Sequence, residues 1–171
     1  LEEIYREGIT KITVMDIENA HRLGYIIKLL AIAKQHDDGS YEARVHPTML
    51  PSSHPLASVN GSFNAIWLNG DSVGDFMLYG RGAGQLPTAS AVVADILNVA
   101  IEMKLRTPLT ISQQKEYIKI SSMDKVTSQY YLRISTADRP GVMGSIGRDL
   151  GISNVSISSL WQANTAGRTA E

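Results

Sequence analysis

The residues best placed to do chemistry are three glycines in quick succession, Gly80, Gly82 and Gly84, set between an apolar run ending at Tyr79 and an amphipathic stretch opening near Pro87. Glycine lacks a Cβ, so its backbone can come close to a ligand, and the free N–H groups and dipole of a following helix attract anions. A phosphate or carboxylate near Gly84 is therefore physically reasonable. The spacing Gly-x-Gly-x-Gly is not the dinucleotide fingerprint Gly-x-Gly-x-x-Gly, however, and no second strand with a ribose-binding acid follows it. From spacing alone a plain tight connection is the simpler reading.

Other candidates are weaker. Four histidines, His21, His36, His46 and His54, share no helical face and have no cysteine to assist them, so they do not suggest a metal site. No Gly-x-Ser-x-Gly elbow anchors a serine hydrolase. Lys28 lies inside an apolar run, where an ammonium must be paired, snorkel to water or shift its pKa, and snorkelling is the simplest of the three. Asp71 and Asp75 suit a turn and a strand edge, while Asp138 suits the turn before a helix.

The elements that must position these residues follow from periodicity. Val92, Val93, Ile96, Val99, Ala100 and Met103 recur at helical spacing behind Pro87, and Thr107-Pro108 ends that helix. Upstream, β-branched Ile9 to Val14 reads as a strand and Asp16 as the N-cap of a short helix, Ile17 to Leu23, closed by Gly24. Ile26–Gln35 and Tyr41–Leu50 flank Asp38-Gly39 as a hairpin. The first of these strands is apolar on both faces apart from Lys28, so both faces of the sheet need cover, and the helices in view cover only one. Pro47, Pro51 and Pro55 break the next stretch, before a second hairpin of Phe63–Leu68 and Val73–Tyr79 around Asn69-Gly70-Asp71. After a polar stretch with one possible strand at Tyr117–Ile120, Tyr130–Ser135, Val142–Leu150 and Val155–Leu160 read as strand, helix closed by Gly151, and strand.

Composition bounds the rest. With 43% hydrophobic and 19% charged residues the 171-residue chain is an ordinary globular one, and its net charge of −1 gives no bulk case for nucleic acid or an acidic membrane. The absence of cysteine excludes disulfides and thiolate chemistry and is compatible with a reducing, cytoplasmic setting. The longest apolar run, Ile26 to Ala33, is interrupted by Lys28 and is far too short for a membrane helix. Both ends of the sequence look cut.

Tyr79-Gly-Arg-Gly-Ala-Gly-Gln-Leu-Pro-Thr-Ala-Ser-Ala-Val-Val-Ala-Asp-Ile96 resembles the homoserine dehydrogenase family, as do Glu7-Gly-Ile9, Leu23-Gly-Tyr-Ile-Ile-Lys-Leu-Leu-Ala-Ile-Ala33, Arg44-Val-His-Pro-Thr48, His54-Pro-Leu-Ala57 and Asn64-Ala-Ile66, in the same order. Tyr130-Tyr-Leu-Arg-Ile-Ser-Thr-Ala-Asp-Arg-Pro-Gly-Val-Met143 resembles the opening of an ACT domain, a βαββαβ module that often binds amino acids. The resemblance implies an α+β fold: a mixed or antiparallel sheet with helices on one face over residues 1–107, a linker over 108–128, and a partial ferredoxin-like ACT module over 129–171.

It also implies an oxidoreductase that interconverts L-homoserine and L-aspartate 4-semialdehyde with NADP or NAD, on the route to threonine, methionine and isoleucine. Gly84 and Gly82 would lie beside the cofactor, and Asp138 and Gly141 beside an effector such as threonine. The sheet would join subunits into a homodimer or homotetramer. No catalytic residue transfers: the family's acidic and lysine residues are expected upstream of Leu1, and Lys28 is not at the lysine position. The chain alone is accordingly expected to be inactive. The alternative is a non-catalytic, amino-acid-binding and oligomerisation module.

Overall fold

The structure is a computed structural model that describes residues 4–105 and 120–162. It contains two β-sheets and three α-helices, an α+β arrangement. In the first sheet a short strand β1 (Tyr5–Arg6) runs parallel to β3 (Tyr41–Pro51), which pairs antiparallel with β2 (Tyr25–Gln35), in the order β1-β3-β2. The β2–β3 hairpin turns where expected. Gly39 adopts φ +77, which only glycine takes without strain, and the Ser40 N–H and hydroxyl both donate to the Asp38 carboxylate.

Pro47 does not break β3 as the sequence suggested, because the strand continues to Pro51 with Leu29 opposite Pro47. The physical reason lies in backbone alternation. The Val45 carbonyl accepts from the Glu7 N–H at 2.8 Å, so Val45 turns its backbone toward β1, and every second residue beyond it does the same. β1 pairs only as far as Val45, so the missing donors of Pro47 and Pro51 face an edge that carries no strand among the described residues. At the other end of the same edge the Tyr41 carbonyl accepts from the Ser121 N–H at 2.7 Å, and Tyr41 bridges Ile120.

The expected strand over Ile9–Val14 is absent. A 3-10 turn, Ile9–Lys11, leads into helix α1 (Val14–Arg22), whose N-cap is Thr13 rather than Asp16. Thr13 and Asp16 form a reciprocal capping box, which overrides the β preference of the residues before it. Gly24 at φ +83 ends the helix as expected. On β2 the even-numbered Leu30 and Ile32 are half-buried, whereas the odd-numbered Leu29, Ala31 and Ala33 are exposed. Around Leu29, Ala31 and Ala33 one face of this sheet is therefore left open among the described residues.

The second sheet is the hairpin β4 (Phe63–Gly70) with β5 (Gly74–Arg81). β5 runs two residues further than expected, so Gly80 is a ladder residue opposite Asn64 and only Gly82 and Gly84 lie in the bend. Helix α2 (Gln85–Leu105) follows, and none of its described residues is buried. By length and apolar composition alone this helix could cross a membrane, a test that the core helix of a globular protein also passes. Thr88, Asp95, Asn98 and Glu102 nevertheless recur at intervals of seven, three and four residues, a polar stripe along one side. The end of this helix at Thr107-Pro108, the strand at Tyr117–Ile120 save its last residue, and part of the linker lie outside the described residues.

In the last part of the chain α3 (Val142–Ile152) forms, two residues longer than expected. Asn154, not Gly151, takes the left-handed position at φ 55, with the Val155 N–H on the Leu150 carbonyl and the Asn154 N–H on the Gly151 carbonyl. The flanking segments expected as strands, Tyr130–Ser135 and Val155–Leu160, pair with no strand among the described residues.

Candidate functional site

The bend after β5 is held from three sides by the start of β4. The Gly82 N–H donates to the Ser62 carbonyl at 3.0 Å. Arg81 donates from Nη1 to Ser62 Oγ at 3.3 Å and lays its guanidinium 4.7 Å from the centre of the Phe63 ring, which stacks on Tyr79 at 4.9 Å and 6°. The Asn64 side chain fills the space where a Cβ on Gly82 would project. Gly84 then takes φ +128, a conformation L side chains rarely adopt, and its carbonyl accepts the Thr88 N–H at 3.1 Å, which starts α2. Pro87 has no N–H, so Gln85 and Leu86 are left with the unpaired amides of the first turn. Bare main chain, two free donors and the positive end of a 21-residue helix therefore converge beside one cation, Arg81. The sequence found Gly82 and Gly84 but not the clamp, since Ser62 and Asn64 carry no motif of their own.

Phe63 and Asn64 also line a half-open cleft of about 270 Å³ together with Lys28, Leu56 and Val59. Lys28 does not snorkel to water. Its ammonium donates to the Val59 carbonyl at 2.6 Å and to Asn60 Oδ1 at 2.8 Å, tying β2 to the loop ahead of β4. These two bonds make Lys28 a tether between the two segments.

The histidines remain apart, and among the described residues no group of three acidic or histidine side chains could hold a metal ion. His54 accepts the Leu56 N–H on Nδ1 and packs its ring 5.1 Å from Trp67. His46 accepts from Arg44 Nε at 2.8 Å on Nε2, which leaves its proton on Nδ1 facing the Pro47 carbonyl. Arg44 and Glu42, about 95% buried, form an ion pair that sequence reading missed, because alternation along β3 does not reveal which face is closed. His36 approaches the same carboxylate at 3.6 Å.

Asp16 is the other buried charge. It accepts from the Thr13 hydroxyl at 2.6 Å, the Thr13 N–H at 2.9 Å, Arg133 Nε at 2.7 Å and the Tyr131 hydroxyl at 3.2 Å. The Thr13 hydroxyl first, then its N–H, and then Arg133 hold the Asp16 carboxyl down at about 2. Asn19 donates to the Tyr131 hydroxyl at 3.3 Å, and Arg22 lies 5.2 Å from the Trp161 ring centre, so one side of α1 is joined to the last part of the chain. Asp138, read as a turn cap, does not cap α3: Gly141 at φ +89 is the N-cap, without a side-chain bond. The structure does not bring Asp138 and Gly141 together with Gly82 and Gly84 by any described contact.

The family model for homoserine dehydrogenase matches residues 1–97, from the first strand into α2. The chain is 41% identical over 179 aligned residues to homoserine dehydrogenase of Synechocystis and 45% identical over 171 to that of Neisseria gonorrhoeae, covering 99% and 96% of this chain but only 41% and 39% of those proteins. It spans about two-fifths of their length. The solved homoserine dehydrogenase from Thiobacillus denitrificans superposes with a TM-score of 0.78 at 38% identity, over 94% of this chain and 38% of that one. With more than half of its residues inside the family model and its fold shared with a solved member, this chain belongs to the homoserine dehydrogenase family.

Proposed function

We propose that this chain supplies the sheet, glycine turn and following helix of an enzyme that interconverts L-homoserine and L-aspartate 4-semialdehyde. The single observation behind this reading is the clamped, side-chain-free turn at Gly82–Gly84 opening onto α2. Such a turn fits a flat, anionic nucleotide: no Cβ stands off its surface, two amides are free to donate, and the helix end favours negative charge. NADP or NAD, when bound, supplies the hydride acceptor for homoserine oxidation. This chain's part is to bind and orient. The groups at the turn are Ser62, Phe63, Asn64 and Arg81, and none of them is a carboxylate or imidazole base, so proton transfer to or from the substrate oxygen falls to residues elsewhere in the enzyme.

The 171-residue chain alone is therefore expected to show no turnover, while the intact enzyme that contains it oxidises homoserine with NADP, followed by absorbance of the reduced nicotinamide. Turnover by the isolated chain, or none by the intact enzyme, would sink this reading. The proposed setting is cytoplasmic, in the supply of threonine, methionine and isoleucine, with subunits associated as a dimer or tetramer through the uncovered face of the first sheet.

A second reading concerns residues 129–171, proposed as a partial ACT module whose Asp138–Gly141 turn meets an amino-acid effector. The contacts of Tyr131, Arg133 and Trp161 with α1 favour it, because they give such a module a physical link to the sheet. Calorimetric titration of the intact enzyme with threonine tests it, and the absence of any heat of binding would exclude that effector.

A further inference from the structure

Asn64 is exposed, and its carboxamide has no hydrogen-bond partner among the described residues, although it stands at the rim of both the cleft and the glycine turn. Its one close engagement is steric. A Cβ built on Gly82 would collide with Asn64 Nδ2 and Cγ, so the carboxamide lies directly against the Gly82 main chain. In the ladder Asn64 pairs with Gly80, so it sits across from the last turn-free residues of β5 and reaches forward over the bend. Gly82 is also fixed from behind by its N–H bond to the Ser62 carbonyl. Two residues on, Gly84 sets the first hydrogen bond of α2. The position of the free Gln85 and Leu86 amides relative to β5 thus depends on where Gly82 stops against Asn64.

We propose that Asn64 is a positioning residue for the nicotinamide cofactor, its carboxamide acting as the wall that fixes how far the Gly82–Gly84 turn and the first amides of α2 stand from the bound nucleotide. The inference rests on the dehydrogenase reading above. The role is one of shape, since the carboxamide makes no described hydrogen bond. A Cβ on Gly82 would require the Asn64 carboxamide, the end of an exposed side chain, to turn aside from where it now rests.

The test uses the intact enzyme with Asn64→Ala, Asn64→Leu, Gly82→Ala and the Asn64→Ala/Gly82→Ala pair. It measures KM for NADP, KM for homoserine, kcat, and NADPH affinity by nicotinamide fluorescence, with thermal midpoints alongside. Loosening a binding turn by a fraction of an ångström is expected to raise the cofactor KM by about tenfold for Asn64→Ala, with kcat and the thermal midpoint little changed. Gly82→Ala raises it further. In the pair, the added methyl occupies the vacated space, so the pair is no worse than Asn64→Ala alone, and the shape-matched Asn64→Leu stays near wild type.

An Asn64→Ala enzyme with unchanged cofactor KM, additive losses in the pair, or Asn64→Leu as damaged as Asn64→Ala would each overturn the proposal. So would a fall in kcat and thermal midpoint at constant KM, which marks a structural role. If Gly82→Ala does not fold, the comparison of Asn64→Ala with Asn64→Leu still decides. Wild-type enzyme inert toward homoserine would instead remove the dehydrogenase reading itself, and the inference with it.

Discussion

The first sheet with α1 and the second hairpin with α2 solve opposite problems. In the first region the buried charges are answered: Asp16 by Thr13 and, from the last part of the chain, by Tyr131 and Arg133, and Glu42 by Arg44. In the second, the large apolar residues stand in the open, with Leu86, Ile96 and Met103 of α2 81%, 62% and 76% exposed. A region that leaves an apolar helix bare offers a surface for another to cover. The candidate cofactor turn lies inside the second region, between its hairpin and its helix.

Four substitutions break or sharpen this contrast. The largest effect is expected from Arg44→Met, which strands the Glu42 carboxylate in a buried site at a cost of about 3 kcal/mol, read from denaturant unfolding. A change below 1 kcal/mol there would mean that water reaches the pair.

Next is Asp16→Asn. The folded pKa of Asp16, about 2, lies below its unfolded value of 3.8. Its contribution is therefore fully present above pH 4 and is lost as the pH falls through the folded value. Allowing for solvent screening, the wild type is expected to lose about 1 kcal/mol more than Asp16→Asn on acidification from neutrality. Parallel acid profiles for the two proteins would remove this carboxylate from the account.

Gly39→Ala forces a side chain into φ +77 at the hairpin turn and is expected to cost about 1 kcal/mol in thermal unfolding. The smallest effect belongs to the open region: Ile96→Lys is expected to change the unfolding free energy of the isolated chain by less than about 0.5 kcal/mol. A large loss there would show that α2 is covered within the chain after all.

Sequence reading succeeded where local chemistry decides the outcome. Asp38-Gly39 demanded a hairpin, Gly24 a helix end, and Gly84 a bend before α2, because each position needs a backbone conformation only glycine takes easily. It failed where the outcome depends on a distant neighbour. Pro47 looked like a breaker, yet which side of β3 its absent donor faces is set by β1, forty residues earlier in the chain. Ile9–Val14 looked like a strand until the Thr13–Asp16 box claimed its end for a helix. Tyr130–Ser135 has strand composition but no described ladder partner. At the candidate site, Gly82 and Gly84 were legible, while Asn64, a residue with no motif, became visible only through the shape it fills.

The two prolines on the outer margin of β3 have a consequence for assembly. A foreign strand laid alongside that margin beyond Val45 would find an amide donor only at Met49, since Pro47 and Pro51 offer none. That margin of β3 is thereby a poor template for edge-to-edge growth.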